Sequence, residues 1–220
     1  MSCHHEAGED DYHGHGHGHD HDHDHGDEAD TGPSDSLFGK VLDEQAWCLN
    51  EAEAGSIRRV FKPWHRRLDT TELVTSDVDG ELLIYVPFNG MVKLKSIFVW
   101  GGAGGSAPQR LRVFANRDDL DFDSIEGAEC TQEWDLARGA REPVEYAVRA
   151  ARFGAVRCLT LLVPRCFDAP DAPTELLFLA FRGDWMPLRA DPVISIYELT
   201  PNAADHKAPA TELMGHRSVT

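Results

Sequence analysis

Apolar and polar residues alternate with a period of two over much of the chain between residues 81 and 199. A period of two places one face of a β-strand in the core and the other in solvent. Short strand candidates, some alternating and some continuous apolar runs such as residues 157–163 and 175–181, are bounded by Gly, Pro or Asp. They occur at residues 81–88, 92–100, 110–116, 157–163, 175–181 and 193–199. Pro87-Phe88-Asn89-Gly90 separates the first two and has the composition of a turn. We therefore expect a set of short strands, the first two joined by that turn.

One helix is expected before the strands, at residues 42–50. Leu42, Ala46 and Leu49 have the i, i+4, i+7 spacing of one helical face, and Gly55 ends the segment. The intervals between the predicted strands hold no amphipathic segment long enough for the crossover helix of a parallel sheet. The pattern therefore predicts an all-β domain, a sandwich or jelly roll, with one short N-terminal helix.

Residues 1–36 differ in composition from the rest of the chain. They hold eleven of the 38 acidic residues, nine of the 12 histidines and no Lys or Arg. Few apolar side chains are present to offset the entropy cost of ordering this segment. We expect a disordered His/Asp/Gly-rich tail at residues 1–36, a folded domain at residues 37–200 and a C-terminal tail at residues 201–220.

The formal net charge is −17, of which −6 belongs to the residues after 36. Such a charge is repelled by phosphate backbones and anionic lipids, so nucleic acid and membrane are poor candidate partners. We expect no signal peptide and no membrane span. Five cysteines without Cys-x-x-Cys spacing do not resemble a secreted disulfide framework. Cys48, Cys158 and Cys166 lie in or beside apolar segments, where buried thiols are expected. The expected location is therefore cytoplasmic or nuclear.

The N-terminal tail is the main candidate for metal binding. Its alternating histidines are His13, His15, His17, His19, His21, His23 and His25. Neutral imidazole binds Zn²⁺, Ni²⁺ and Cu²⁺, but a defined site needs ligands that second-shell contacts hold in place. Two interpretations stay open: a metal-collecting tail, and a solvated tail with adventitious affinity for divalent metals. No cofactor is expected.

One basic and aromatic cluster lies in the predicted domain. Its candidate partner-binding residues are Arg58, Arg59, Lys62 and Trp64. Such a mixture can stack on bases and neutralise phosphates, but the acidity of the chain argues against nucleic acid. Two alternatives remain: a loop that binds a protein partner, and a structural segment with Trp64 packed on the core.

Motifs typical of enzymes and of defined ligand sites are incomplete. The predicted domain offers only His65 among histidines, and it has no Gly-x-Ser-x-Gly motif. Residues 119–123 begin like an EF-hand loop, but Ser124 and Cys130 stand where Gly and Glu are required. Residues 102–107 match a dinucleotide fingerprint, but Pro108 and a predicted strand follow instead of a helix. We therefore expect a protein that is not an enzyme.

The centre of the chain resembles the PITH domain family. The resemblance is carried by Leu82-Leu83-Ile84-Tyr85-Val86-Pro87-Phe88-Asn89-Gly90, Val92-Lys93-Leu94-Lys95-Ser96-Ile97, Cys48-Leu49-Asn50-Glu51, Val60-Phe61-Lys62-Pro63-Trp64, Asp121-Phe122-Asp123, Phe181-Arg182-Gly183-Asp184-Trp185 and Pro201-Asn202-Ala203-Ala204-Asp205-His206. It covers about residues 42–206.

A PITH domain is the proteasome-interacting domain found C-terminal to thioredoxin in thioredoxin-like proteins. The resemblance implies a jelly-roll β-sandwich similar in shape to galactose-binding modules, located in the cytoplasm and nucleus. It implies a protein–protein interaction module that associates with the proteasome or a related regulatory assembly, and we expect a monomer outside that complex. The alternative is a β-sandwich that binds a small ligand, a sugar or a metal, with the His tail collecting metal.

Overall fold

The strand pattern of the sequence is present in the computed structural model, which describes residues 32–169 and 172–188. The strands are β1 (Trp47–Leu49), β2 (Val74–Thr75), β3 (Leu82–Trp100), β4 (Arg110–Ala115), β5 (Gln132–Asp135), β6 (Val144–Ala147), β7 (Val156–Val163), β8 (Glu175–Leu176) and β9 (Phe178–Pro187). One short α-helix, α1 (Phe122–Ile125), accompanies 3₁₀ turns at Phe38–Lys40, Asp43–Gln45, Ser56–Val60 and Trp64–Arg66. The predicted all-β class is confirmed.

β3 is the central strand of the fold because it takes part in both layers. Its first part, Leu82 to Pro87, pairs with β1 on one side and β7 on the other. Its second part, Gly90 to Trp100, pairs with β9, and Ser96 to Val99 also pair with β6. One layer therefore has the order β1-β3-β7-β4-β5, and the other is β6-β3-β9. All of these pairs are antiparallel, and together they form a β-sandwich.

The predicted turn at Pro87-Phe88-Asn89-Gly90 is wrong, because β3 continues through these residues as a single strand. The register with β7 shifts between Pro87 and Val92, so the strand bends there and exchanges β7 for β9 as its neighbour. Turn-forming residues are also tolerated at such a bulge. Gly90 is needed at this point, since a side chain there would collide with the indole of Trp185.

Alternation along the strands divides the apolar residues between three clusters. Leu82, Ile84 and Val86 of β3 join the main core. The outer face of the five-stranded layer carries a second cluster, which consists of Leu83, Phe114, Leu120, Ile125 and Leu162. Since Ile125 belongs to α1 and Leu120 to the loop before it, this loop and helix cover part of that outer face. A third cluster, Phe98, Trp100, Leu177 and Phe178, has Trp64 packed against it.

The predicted helix at residues 42–50 is wrong. Only the 3₁₀ turn Asp43–Gln45 forms there, and Ala46 returns to an extended conformation (φ −70°, ψ 141°). Trp47–Leu49 then pairs with β3 as β1. Cross-strand pairing therefore outweighs a helical spacing that rested on three apolar residues, as tertiary contacts commonly do for short segments.

The described residues of the predicted N-terminal tail are in contact with the domain. A side chain at Gly32 would collide with Trp64. Asp35 forms ion pairs with Arg182 and Lys95, and Ser36 forms a β-bridge with Arg182. The described residues 32–36 therefore pack on the folded domain. The histidine-rich repeat, the strand predicted at residues 193–199 and the C-terminal tail lie outside the described residues.

Within residues 32–169 and 172–188, no helix has the length and apolar character needed to cross a membrane.

Candidate functional site

A groove of about 630 Å³ lies on the outer face of the five-stranded layer, at the bend of β3. Leu83 and Leu162 on this face are covered by α1 and the loop before it. Tyr85, Pro87 and Cys158 follow on the same face, because side chains two residues apart on a strand point the same way, and they line the groove. We call it the β3 groove; its other walls come from Leu42, Gln45, Phe88, Asn89, Asn116, Asp118, Arg157 and Leu188.

Asn116 fixes one wall of the β3 groove. It adopts a left-handed conformation (φ 57°) directly after β4, which Asn tolerates better than most residues. Its side-chain Nδ2 donates to the Ala155 carbonyl at 2.8 Å, and its Oδ1 accepts from the Arg157 backbone N–H at 2.7 Å. The amide of Asn116 is therefore used within the protein, where it holds the start of β7 beside the end of β4.

The floor of the β3 groove is neutral near physiological pH. Trp47 stacks on Tyr85 with ring centroids 5.2 Å apart. Burial and the neighbouring thiol of Cys158 raise the pKa of Tyr85 to about 12. Burial likewise raises the pKa of Cys158. Neither group is therefore ionised at neutral pH, as a nucleophile or a general base would have to be.

The rim of the β3 groove carries four exposed polar side chains: Gln45, Asn89, Asp118 and Arg157. In the part of the chain that the structure describes, none of these four side chains forms a hydrogen bond or ion pair. By contrast, the residues on either side of Asp118 are paired, because Arg117 forms an ion pair with Asp119 at 2.6 Å. The rim therefore offers two amides, one carboxylate and one guanidinium to a ligand.

Arg58 and Arg59, which the sequence predicts to bind a partner, lie exposed on the 3₁₀ turn Ser56–Val60. The Nη2 of Arg58 donates to the Glu44 carbonyl at 2.9 Å. Arg59 forms a two-bond ion pair with Glu53. Both guanidinium groups remain accessible, and their contact with a partner stays a prediction.

Lys62 does not belong to an accessible basic surface. Its side chain is buried, with 3% of the residue exposed. The ammonium Nζ donates to the backbone carbonyls of Asp69 at 2.6 Å and Glu72 at 2.5 Å, and burial lowers its pKa. The predicted role of Lys62 as a partner contact is therefore corrected to a structural one. The sequence did not show this, because the acceptors are main-chain groups of a loop that folds back over the lysine.

Trp64 is partly buried and packs against the third cluster. Its ring meets Phe98 edge-on at 5.1 Å and Phe178 at 6.2 Å. The guanidinium of Arg67 lies over the same ring, 4.7 Å from the centroid. Of the two alternatives for the basic and aromatic cluster, the geometry at Lys62 and Trp64 favours the structural segment.

The remaining motifs have structural roles. Asp121 is the N-cap of α1, with its carboxylate accepting from the Ser124 N–H at 2.8 Å and its own N–H donating to the Ser124 hydroxyl. This capping box accounts for the residues that resemble an EF-hand. Among the described residues, no group of three or more His, Cys, Asp and Glu side chains is placed to hold a metal ion. The tail histidines lie outside the described residues.

No local sequence pattern predicts the β3 groove. Its lining comes from five separate segments, and residues 87–90 have the composition of a turn. A signal was present in Asn116-Arg117-Asp118-Asp119, a polar run between two strands, although such runs are common in ordinary loops.

Comparison with protein families identifies the domain. The family model described as PITH domain matches residues 27–201. The chain belongs to the PITH domain family. It is 38% identical to PITH domain-containing protein 1 of Homo sapiens over 172 residues, 78% of this chain and 80% of that one. A PITH domain-containing protein of Schizosaccharomyces pombe is 37% identical over 179 residues, 80% of this chain and 86% of that one. The family predicted from the sequence is confirmed.

Solved structures with a similar backbone include CBM32-3 from a family 31 glycoside hydrolase of Clostridium perfringens, with 11% identity and a TM-score of 0.47 over 66% of this PITH chain and 96% of that chain. The C-terminal domain of a chitobiase from Bacteroides fragilis has 16% identity and a TM-score of 0.43, over 70% of this chain and 96% of that chain.

Proposed function

We propose that this PITH chain is a non-catalytic protein–protein interaction module that docks on a protein assembly through the β3 groove. The observation that carries the proposal is the groove itself. Beside it, α1 and the preceding loop cover the outer face of the layer, whereas here the face is open, and accessible Leu42 and Leu188 lie beside polar side chains that have no partner among the described residues. Apolar side chains bordered by polar groups are typical of protein interfaces.

The chemistry of the described residues supports a non-catalytic role. The thiols of Cys48, Cys158 and Cys166 are buried, and burial raises the pKa of the first two. His65 is the single histidine between residues 32 and 188, and it lies outside the lining of the groove. A nucleophile paired with a base is therefore not found in the groove.

The proteasome is the partner that we propose first, since the PITH resemblance implies it, and a related regulatory assembly is the broader class. The test is binding of the purified full-length protein to purified 26S proteasome, followed by native electrophoresis and by cross-linking with mass spectrometry. We expect saturable binding with cross-links close to the β3 groove. Failure to bind, together with no cross-link to any assembly in native lysate, would overturn the proposed function.

Arg58 and Arg59 provide a second arm of the same experiment. Replacing both by Glu reverses two exposed charges, and reversal of rim charges mainly slows association and reduces its salt dependence. If these arginines contact the partner, the association rate falls in low salt and changes little in high salt. An unchanged association rate would show that Arg58 and Arg59 lie outside the interface.

A second candidate function is the binding of a small ligand, such as a sugar. It is favoured by the volume of the β3 groove, which falls in the ~300–1,000 Å³ range of small-molecule sites. The free amides of Gln45 and Asn89 could pair with hydroxyl groups. Saturable shifts of groove resonances on addition of monosaccharides, without any binding to a protein assembly, would favour this candidate. Metal collection by the tail histidines is tested separately by titration with Zn²⁺ and Ni²⁺.

The proposal includes a cytoplasmic and nuclear location and a monomeric state outside the complex. Imaging of a fluorescent fusion and sedimentation of the purified chain test these two points. A fusion found in a membrane-bound compartment, or a concentration-independent dimer, would contradict them.

A further inference from the structure

We propose that the occupant of the β3 groove is an extended segment of the partner protein, and that Asp118 and Arg157 select a segment with one basic and one acidic side chain. This inference rests on the proposed function and names what the docking site recognises. Three features of the groove lead to it: the bend in β3, the apolar walls and the unpaired charges.

The bend leaves Asn89 of β3 without a cross-strand partner. Its neighbour Phe88 bridges Val41, and Gly90 pairs with β9, so the gap in the pairing is one residue long. The side chain of Asn89 is exposed. An extended peptide presents an N–H and a C=O at each residue, and sheet edges bind peptides through such groups. The amides of Asn89 and Gln45 each offer one donor and one acceptor group for the same purpose.

The apolar walls of the groove can contact the apolar side chains of such a segment. Leu42 and Leu188 line the groove, and Leu188 is 48% exposed. Phe88 also borders the groove, but it is 5% exposed and belongs to the main core. An apolar side chain laid between Leu42 and Leu188 would remove this surface from water, which is the main favourable contribution at protein interfaces.

The charges supply the selectivity. Asp118 and Arg157 have opposite signs, line one groove and form no ion pair with each other. Both act on the same floor group, since Asp118 raises and Arg157 lowers the pKa of Tyr85. Two separated and unpaired charges favour a partner whose charges stand in the complementary order, and the reversed order places like charges together.

The test uses the full-length protein and heptapeptides with an N-terminal fluorescein and a C-terminal amide. Each has two central Leu residues flanked by Lys and Glu, in either order, and a third has both charges replaced by Gln. Fluorescence anisotropy gives the dissociation constants, and amide shifts in NMR spectra locate the binding site. We expect one charge order to bind about tenfold more tightly than the other and more tightly than the Gln peptide.

The decisive variant exchanges the charges, Asp118→Arg with Arg157→Asp, and we expect it to prefer the opposite peptide. A matched control exchanges two exposed charges away from the groove, Asp77→Arg with Arg141→Asp, and should leave the preference unchanged. Asn89→Trp fills the groove and should abolish binding of both peptides. Thermal melting verifies that each variant is folded. A charge order preference that survives the exchange, or no preference at all, overturns the inference.

The same variants separate this inference from the proposed function. If the exchanged variant and Asn89→Trp bind purified proteasome as the parent does, the protein is an interaction module but the β3 groove is not its peptide site. If the parent protein binds no assembly, the proposed function fails, whatever the peptides do. If monosaccharides shift the groove resonances and the peptides do not, the occupant is a small ligand and the inference is wrong.

Discussion

Asp35 and Arg182, 147 residues apart in the sequence, are joined by a hydrogen bond of 2.7 Å from Arg182 Nε to Asp35 Oδ1. Arg182 also donates to Glu145 at 2.6 Å, and Lys95 donates to Asp35 at 3.3 Å. The Asp35 side chain is only 18% exposed. Asp35 and the residues next to it are therefore attached to the edge of β9, where they contribute to the folded domain.

We predict that removing residues 1–31 leaves the stability unchanged within ~0.5 kcal/mol, whereas Asp35→Asn lowers the free energy of unfolding by about 1 kcal/mol. The hydrogen bond to Arg182 holds the pKa of Asp35 below its usual range. The stabilisation of the fold by the Asp35 carboxylate is therefore present above the unfolded pKa of about 4, and it is lost as the pH falls through the folded pKa. Urea melts at neutral and acidic pH measure it.

Asp184→Asn is the matched control for Asp35→Asn, because Asp184 pairs with Lys95 at a more exposed position, with 55% of its side chain accessible. The control should cost less than Asp35→Asn at neutral pH. Equal losses for the two variants would show that Asp35 acts only as a surface charge.

Lys62 gives a second prediction. Lys62→Met keeps the aliphatic stem but removes the donor to the Asp69 and Glu72 carbonyls. Acceptors left unsatisfied cost about 1–3 kcal/mol, so the free energy of unfolding should fall by that amount. Arg58→Met is the control, since it removes an exposed donor and should change stability by less than ~0.5 kcal/mol. If Lys62→Met leaves the free energy of unfolding unchanged, water reaches these carbonyls in the variant.

The parts of the fold that the sequence predicts are those with a simple period. Alternation at residues 110–116 and the apolar run at residues 157–163 predict β4 and β7 to within one residue at either end. The sequence does not predict β5 and β6, because each strand has only four residues, too few to establish a period, and neither buries a side chain fully. The β3 groove was missed for a different reason: it exists only where a bend brings together segments that are distant in sequence, and no local pattern encodes that contact.

Thiol reactivity tests the interpretation of the cysteines. Cys48 and Cys166 are buried and Cys130 is partly exposed, and burial raises the pKa of Cys48 above its usual range. Because the thiolate is the reactive form, iodoacetamide near neutral pH should label Cys130 at least about tenfold faster than Cys48. Peptide mapping by mass spectrometry measures the rates, with labelling in urea as the unfolded reference. Comparable rates in the folded protein would show that β1 opens readily.

The floor of the β3 groove gives a prediction for alkaline pH. Burial and the Cys158 thiol raise the pKa of Tyr85 to about 12, against about 10 for an unfolded tyrosine. Between these values the unfolded chain has lost a proton that the folded chain retains, so unfolding becomes easier as the pH rises. The stabilisation is fully present below about pH 10 and is lost through about pH 12. Tyr85→Phe cannot ionise, so its free energy of unfolding should fall less steeply across this window than that of the parent.

Tyr146→Phe is the control: burial also raises the pKa of Tyr146, but its hydroxyl accepts from the Ala137 N–H, away from the groove. A ligand that covers the floor should delay ionisation of Tyr85 further, and the Tyr146→Phe variant should keep that response while Tyr85→Phe loses it. A parent protein whose alkaline titration matches that of Tyr85→Phe would show that Tyr85 is solvated and that the groove floor is open to water.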